Sequence, residues 1–101
     1  DSMKTEVALL HRDYPSNLRQ YVEERLNPLT KFNERMTAVR AVFDRQHNNH
    51  KVELIASIGG RPPVVVETTA GTPQVAFRQA LDGLVKSLKR NRTKFLDAKH
   101  Q

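Results

Sequence analysis

Alternating apolar and polar residues mark the strands of this chain. The clearest alternation covers 51–58, and a similar one covers 37–44, so both segments predict strands with one buried face. Residues 3–12 are more mixed and include an apolar run, which predicts a strand partly buried on both faces. A fourth strand is predicted over 64–68, because the two prolines before it suit the start of an edge strand.

The first helical pattern follows the first strand. Apolar residues recur there every three or four positions, so we expect helical structure over 16–34, with Ser16 as its N-cap. Pro28 lies inside the pattern and removes one helical hydrogen bond. The helix should therefore kink or restart at this proline, with Asn27 as a second cap.

The second helical pattern begins after the fourth strand. Thr72 and Pro73 suit the N-cap and the first position of a helix. Apolar residues of the segment fall in one sector of the helical wheel, whereas most of its basic residues fall opposite. The segment therefore predicts a long amphipathic helix with one buried face and one basic face.

These elements predict an α+β fold in the order β-α-β-β-β-α. The first two strands should be parallel, the later ones antiparallel with turns at 46–50 and 59–60, and both helices should pack on one face of a four-stranded sheet. We expect the inner sheet face to consist of Val39, Ala41, Phe43, Val52, Leu54, Ala56, Ile58, Val64 and Val66. We expect the outer face to meet water through Arg40, Lys51, Glu53 and Glu67.

The length of 101 residues predicts one domain spanning 1–101. Asp1 and Ser2 before Met3 are typical of residues left by an expression vector, and 96–101 are expected to fray. No apolar run reaches the roughly 20 residues of a bilayer span, and the start of the chain lacks an apolar signal segment. We therefore expect a cytoplasmic protein that is not bound to a membrane.

The net charge of +6 is concentrated near the end of the chain. Residues 86–101 hold six basic side chains against Asp97 alone, a net charge of +5 that leaves +1 for the other 85 residues. A helix dipole favours one or two cations at its C-terminal end, but five basic residues within 86–94 exceed that need. The distribution predicts a polyanionic partner, either nucleic acid or an anionic membrane.

The residues offer no arrangement typical of an enzyme. Cysteine is absent from the sequence, which excludes disulfides, thiolate zinc sites and cysteine nucleophiles. His47 and His50 have a metal-like spacing, but no further ligand completes the set, so we expect no metal and no cofactor. Glu23 and Glu24 beside Arg25 fit the surface ion pairs of a helix better than acid–base chemistry. We expect no catalytic residues and no enzymatic activity.

Aromatic residues are few and do not line a strand face on which bases could stack. We assign Phe32, Phe43 and Phe77 to the core. The signal for nucleic acid is therefore electrostatic, and it predicts phosphate contacts and recognition of shape instead of base readout.

Three segments match one known pattern in order and spacing. They are LRQYVEERL at 18–26 with LTKF at 29–32, HKVEL at 50–54, and AFRQALDGL at 76–84 with LKR at 88–90. They resemble the first helix, third strand and second helix of the ribosome hibernation promoting factor family, which includes the ribosome-associated inhibitor and sigma modulation proteins. The similarity spans nearly the whole chain, and the family fold has the same order of elements.

The resemblance implies a protein that occupies the decoding channel of the small ribosomal subunit and excludes messenger RNA and transfer RNA. Such proteins silence translation under stress or in stationary phase, and their basic helix faces contact ribosomal RNA. Carried onto this chain, the implied RNA-binding residues are Arg19, Arg25, Lys31, Arg78, Lys86, Lys89, Arg90, Arg92 and Lys94. The prolines before the fourth strand also favour a monomer away from the ribosome.

The chain departs from the family pattern in several places. The link over 12–18 is shorter than usual, and Pro28 interrupts a helix that is usually continuous. Gly83 stands where a basic residue is common, so we expect one phosphate contact to be missing. The chain stops soon after the second helix, so it resembles a short-form member without the carboxy-terminal dimerisation domain.

Two other functions stay open at this point. A general double-stranded RNA-binding module has a similar layout of three strands and a helix, but it needs a basic helix start, whereas the cluster here lies at the helix end. A protein-interaction module that modulates a transcription factor predicts an exposed apolar patch and binding that salt does not weaken. RNA binding, in contrast, weakens steeply with salt.

Overall fold

A computed structural model describes residues 3–11 and 14–99, with the side chains of the last helix described as far as Arg90. The elements are β1 (Lys4–Leu9), α1 (Leu18–Leu26), a 3₁₀ helix (Asn27–Lys31), β2 (Met36–Gln46), β3 (Asn49–Ile58), β4 (Val64–Ala70) and α2 (Pro73–Lys99). The predicted α+β fold and its order of elements are confirmed. Strand β1 is shorter than the predicted 3–12, of which Arg12 lies outside the described residues.

The four strands form one sheet in sequence order, with β1 and β2 parallel and the later pairs antiparallel. Strands β2 and β3 pair as far as Gln46 and Asn49, so their turn is shorter than the predicted 46–50. His47 in this turn has a φ of 58°, the left-handed conformation that two-residue hairpin turns require. Both predicted turns therefore exist, and the first one is tight.

Both helices bury their apolar residues against the same face of the sheet. Helix α1 packs beside β1, and α2 packs across β3 and β4. Phe43 of β2 and Phe77 of α2 are fully buried, with ring centroids 6.0 Å apart. All nine residues predicted for the inner face belong to or pack on this core, with Val64 and Val66 only partly buried at the sheet edge.

The first helical region begins later than predicted, because a backbone group takes the place of the capping side chain. The N–H of Leu18 donates to the Pro15 carbonyl at 3.1 Å. Asn17 stands at the N-cap with helical backbone angles and makes no side-chain cap hydrogen bond. A capping side chain needs an extended backbone at the N-cap, so the prediction of Ser16 as the cap was wrong.

Pro28 ends the α-helix as predicted, but Asn27 does not cap a new one. The chain passes directly from α1 into the 3₁₀ helix, which tolerates the proline at its start. The Asn27 side chain instead accepts a hydrogen bond from the Thr5 hydroxyl at 2.9 Å, which ties it to β1. The helical segment ends at Lys31, short of the predicted residue 34.

Helix α2 begins as predicted. The Thr72 hydroxyl oxygen accepts a hydrogen bond from the Val75 N–H at 3.2 Å, and Pro73 takes the first helical position. Its fully buried side chains recur at helical spacing: Ala76, Phe77, Ala80, Leu84 and Leu88. The helix continues to Lys99, and because residues 100–101 lie outside the described part, fraying over 96–101 stays a prediction.

Gly83 faces the sheet. A Cβ atom at this position would lie 3.3 Å from Cγ1 of Val66 on β4, so the missing side chain lets α2 approach the strand closely. The Cβ of a long basic side chain at this position would be equally close to Val66. The glycine therefore serves the packing of the helix on the sheet.

Replacing Gly83 by alanine tests this close approach. In the wild-type background we expect a change below about 0.5 kcal/mol in the free energy of unfolding, because a gain of about 1 kcal/mol in helix propensity is offset by crowding against Val66. In a Val66→Ala background, where Cγ1 is absent, the same change should stabilise the protein by about 1 kcal/mol. Urea denaturation of the four proteins measures the difference, and equal effects in both backgrounds would reject the packing role.

Candidate nucleic-acid interface

Three of the predicted RNA-binding residues lie against aromatic rings beside α1, the 3₁₀ helix and α2. The central carbon of the Arg25 guanidinium lies 3.6 Å from the centre of the Tyr21 ring. The ammonium groups of Lys31 and Lys89 lie 5.1 Å and 5.2 Å from the centre of the Phe32 ring. We call Arg25, Lys31 and Lys89 the groove cations.

The Arg25–Tyr21 pair lies at the junction of the two helices. Arg25 follows Tyr21 by one helical turn, and its Nη1 donates to the Tyr21 carbonyl at 3.2 Å. The Tyr21 ring meets Phe77 of α2 edge-on, with centroids 6.1 Å apart. Arg25 is therefore connected to α2 through the Tyr21 ring.

Lys31 and Lys89 come from different elements and converge on one ring. Because both ammonium groups lie about 5 Å from the Phe32 centroid, they are at most about 10 Å apart. Two cations at this separation lie within about one Debye length of each other at physiological salt, so their positive potentials add.

Asn33 holds the segments that carry Lys31 and Lys89 together. It is 2% exposed, and it is the buried polar side chain of the described residues. Its Nδ2 donates to the Leu88 carbonyl of α2 at 3.3 Å, and its Oδ1 accepts from the Arg35 N–H at 3.0 Å. The residue thus fixes the end of the 3₁₀ helix against the turn of α2 that carries Lys89.

Arg19 points to a different part of the molecule from Arg25. Its guanidinium donates a hydrogen bond to the Val7 carbonyl of β1. The two arginines therefore flank the buried face of α1 on opposite sides, one toward the strand and one toward α2. The structure does not bring Arg19 together with the groove cations.

The remaining predicted residues lie on α2. Lys86 pairs with Asp82 at 3.2 Å, and both side chains are more than two-thirds exposed, so the pair contributes little to stability. Arg78 and Arg90 are exposed. Arg92 and Lys94 belong to the helix, but their side chains lie outside the described residues.

The aromatic partners of the cations were missed by the sequence analysis. Tyr21 was given no role in binding and Phe32 was assigned to the core, yet both rings are only partly buried. The available signals were the four-residue spacing of Tyr21 and Arg25 and the adjacency of Lys31 and Phe32. The approach of Lys89 to Phe32 has no local signal.

A second polar cluster lies where β1 ends. His11 Nε2 and Asp44 Oδ1 are 2.7 Å apart, and this hydrogen bond holds the pKa of Asp44 below its usual value. The Tyr14 ring packs edge-on against His11 and lies 5.7 Å from His50, and burial raises the pKa of the Tyr14 hydroxyl. Within residues 3–11 and 14–99, no three His, Asp or Glu side chains are close enough to hold a metal ion.

A depression of about 780 Å³ opens between the 3₁₀ helix and the starts of β1 and β2. Its lining combines hydroxyl, amide and thioether groups with one lysine and one glutamate. The lining residues are Met3, Thr5, Asn27, Thr30, Lys31, Glu34 and Met36. The depression adjoins a groove cation and does not bring two carboxylates together.

Exposed apolar side chains of the described residues do not form one patch. The two large ones are Leu10 and Val65, at 56% and 54% exposure. Leu10 follows β1 and Val65 belongs to β4, which are the opposite edges of the sheet. This arrangement counts against the protein-interaction alternative, which predicted such a patch. None of the described helices combines the length and hydrophobicity of a membrane span.

Comparisons with known proteins agree with this fold. The model of the family described as sigma 54 modulation protein / S30EA ribosomal protein matches residues 6–95. The fold is similar to the N-terminal domain of Thermus thermophilus Protein Y, with a TM-score of 0.74, 20% identity, and coverage of 91% of this chain and 100% of that one. It is also similar to a ribosomal subunit interface protein from Coxiella burnetii, with a TM-score of 0.64, 13% identity, and coverage of 94% and 99%.

No curated protein sequence matched this chain. At identities of 20% and 13%, the two structural likenesses establish the fold alone. The family match establishes more, because residues 6–95 include α1, α2 as far as residue 95, and all of the sheet except the start of β1. The resemblance found in three sequence segments is confirmed: the chain belongs to the sigma 54 modulation protein / S30EA ribosomal protein family.

Proposed function

We propose that this chain is a ribosome hibernation factor. It binds the decoding channel of the small ribosomal subunit, blocks messenger RNA and transfer RNA, and silences translation under stress or in stationary phase. Family membership supports the ribosome as the partner, and one similar structure is that of a ribosomal subunit interface protein. In this proposal the protein acts in the cytoplasm as a monomer when off the ribosome, and it uses no catalytic residue, metal or cofactor.

The convergence of the groove cations is the observation that supports RNA as the ligand. Lys31 and Lys89 bring two positive charges to one ring, Phe32. Phosphates of ribosomal RNA pair with such charges, and each contact releases condensed counterions. The rings beneath the cations also restrict their rotamers before binding, which reduces the entropy lost on association.

The outer face of the sheet has a different electrostatic character. Its cations are paired with carboxylates: Lys4 with Glu6 at 3.2 Å, Arg40 with Glu6 at 3.7 Å, and Lys51 with Glu67 at 3.3 Å. These pairs lower the positive potential of that face. We therefore place the RNA contact on the helical face of the molecule.

The double-stranded RNA-binding alternative receives no support from the start of α2. That module needs basic residues in the first turn of the helix, but the first cation of α2 is Arg78, in the second turn. The charge lies further along, at Lys86, Lys89 and Arg90. The family proposal accounts for this position of the charge, and the alternative does not.

Co-sedimentation with ribosomal subunits tests the proposed function. We expect the protein to sediment with small subunits through a sucrose gradient, and saturating messenger RNA with initiator transfer RNA should displace it. Large subunits serve as the control and should retain much less protein. Retention that is unchanged by bound messenger and transfer RNA would reject the decoding-channel site, and absence from the small-subunit fraction would reject the ribosome as the partner.

A further inference from the structure

We propose that the guanidinium of Arg25, stacked on Tyr21, is a binding site for one unpaired RNA base. This inference rests on the proposed RNA-binding function and adds a contact that is not electrostatic. The sequence predicted only phosphate contacts, because aromatic residues do not line a strand face on which bases could stack. The structure places a planar stacking group on a helix instead.

The short distance between Arg25 and Tyr21 indicates plane-to-plane stacking. The central guanidinium carbon lies 3.6 Å from the ring centre. An edge-on guanidinium would bring its nitrogens into contact first and keep its carbon at about 4 Å or more. One face of the guanidinium therefore covers the ring, and the other faces outward on a residue that is exposed. RNA-binding proteins stack unpaired bases on such guanidinium planes.

The plane is fixed before any ligand arrives. Arg25 Nη1 donates to the Tyr21 carbonyl at 3.2 Å, so the guanidinium is bonded to the residue on which it is stacked. Tyr21 in turn packs edge-on against the fully buried Phe77 of α2, with centroids 6.1 Å apart. A stacking surface tied to the core in this way loses little freedom when a base binds.

The surroundings of Tyr21 favour a base over a phosphate. Tyr21 also helps to line a depression of about 270 Å³ on α1, together with Asn17, Gln20 and Glu24. Gln20 Nε2 donates to Glu24 Oε1 at 3.1 Å, so the depression presents amide groups and a carboxylate. The carboxylate repels phosphate, whereas amide and carboxylate groups can bond the polar edge of a base. The RNA backbone would then follow Lys31 and Lys89.

Replacing Arg25 by lysine separates stacking from charge, because lysine keeps the charge and lacks the plane. We expect Arg25→Lys to weaken binding to small ribosomal subunits about tenfold at every salt concentration, the size of one lost base stack. The slope of log affinity against log salt should stay at the wild-type value, since the number of cations is unchanged. Arg25→Gln should weaken binding and should also lower the slope of log affinity against log salt, because it removes the charge together with the plane.

A fluorescent base gives a direct reading of the stack. The probe is a hairpin oligoribonucleotide with 2-aminopurine at an unpaired position, and the chain contains no tryptophan to interfere. The wild type should quench the probe on binding, and Arg25→Lys should not. A fully paired probe of the same length is the control, and both proteins should bind it equally.

The outcomes distinguish this inference from the proposed function. If Arg25→Lys binds small subunits with wild-type affinity, or if the wild type leaves 2-aminopurine unquenched, the stacking site is rejected while ribosome binding stands. If the wild type does not bind small subunits at all, the proposed function fails first. Unfolding is not expected to confuse the result, because Arg25 is exposed and lysine is a good helix former.

Discussion

Replacing the groove cations Arg25, Lys31 and Lys89 together by glutamine should weaken binding to the small ribosomal subunit about a hundredfold near physiological salt. Each lost phosphate contact lowers the slope of log affinity against log salt by roughly 0.7–0.9 units, so the contacts of Lys31 and Lys89 remove about 1.4–1.8 units. Arg25 faces a base in our proposal, so its charge changes the slope less, and its lost stack adds a factor of about ten. The measurement is a series of binding titrations from low to high salt. Toward about 1 M salt the electrostatic contribution vanishes, so the difference between variant and wild type should shrink to the roughly tenfold loss of the Arg25 base stack.

A matched variant on the opposite face controls for net charge. Replacing Lys4, Arg40 and Lys51 by glutamine also lowers the charge from +6 to +3, but it removes cations that are paired with carboxylates. We expect its salt slope to stay near the wild-type value. Similar losses in both variants would mean that RNA responds to total charge and not to the groove.

Both triple variants should fold, because all the exchanged side chains are at least partly exposed and glutamine suits helices. In the groove variant the Tyr21 ring loses one cation and the Phe32 ring loses two, which costs about 0.5–1 kcal/mol per exposed cation–π contact. Thermal unfolding followed by circular dichroism checks that the loss of affinity is not a loss of structure. A groove variant that unfolds would show that these cations serve the fold.

The sheet was predictable because its central strand has a strict period of two. A shift of one residue in 51–58 would move every buried side chain to the solvent face, so the alternation determines which residues form the core. The prolines before β4 likewise agree with its place at the sheet edge. Both signals depend only on neighbouring residues in the sequence, so they can be read without knowing the tertiary contacts.

The helix boundaries were less predictable, because they depend on which backbone groups find partners. Ser16 is a residue type that is common at N-caps, but the Leu18 N–H donates to the Pro15 carbonyl instead. The Asn27 side chain could have capped a new helix or bonded a neighbouring strand. It accepts a hydrogen bond from the Thr5 hydroxyl of β1 and is therefore not a cap. Composition cannot rank such alternatives when tertiary contacts choose between them.

The candidate site shows the same division. Its cations were identified from charge and family resemblance, but their arrangement comes from contacts between residues far apart in the chain. Lys31 and Lys89 are 58 positions apart and meet at one ring. Arg19 bonds a strand carbonyl that only the packing of α1 on the sheet brings near, whereas Arg25 stacks on a tyrosine one helical turn before it.

The replacement of Asn33 by aspartate should destabilise the protein by about 3 kcal/mol at neutral pH. The carboxylate can still accept from the Arg35 N–H, but it cannot donate to the Leu88 carbonyl, which lies 3.3 Å from the present amide nitrogen. A buried charge then faces a carbonyl oxygen. Asn33→Ala loses both bonds without adding a charge, so its expected cost is smaller, about 1–3 kcal/mol. Thermal unfolding should show drops of roughly 4–8 °C per kcal/mol for a domain of this size.

The pH dependence of the two Asn33 variants separates the lost hydrogen bonds from the added charge. Burial raises the pKa of a carboxyl group, so the aspartate of Asn33→Asp takes up a proton more readily in the folded state than in the unfolded state. Acidification should therefore restore part of its stability relative to Asn33→Ala, because a protonated carboxyl can donate to the Leu88 carbonyl. Both variants should also weaken small-subunit binding at temperatures where they remain folded, since Asn33 holds Lys31 and Lys89 at the same ring. Wild-type affinity in both folded variants would show that RNA binding does not need this convergence.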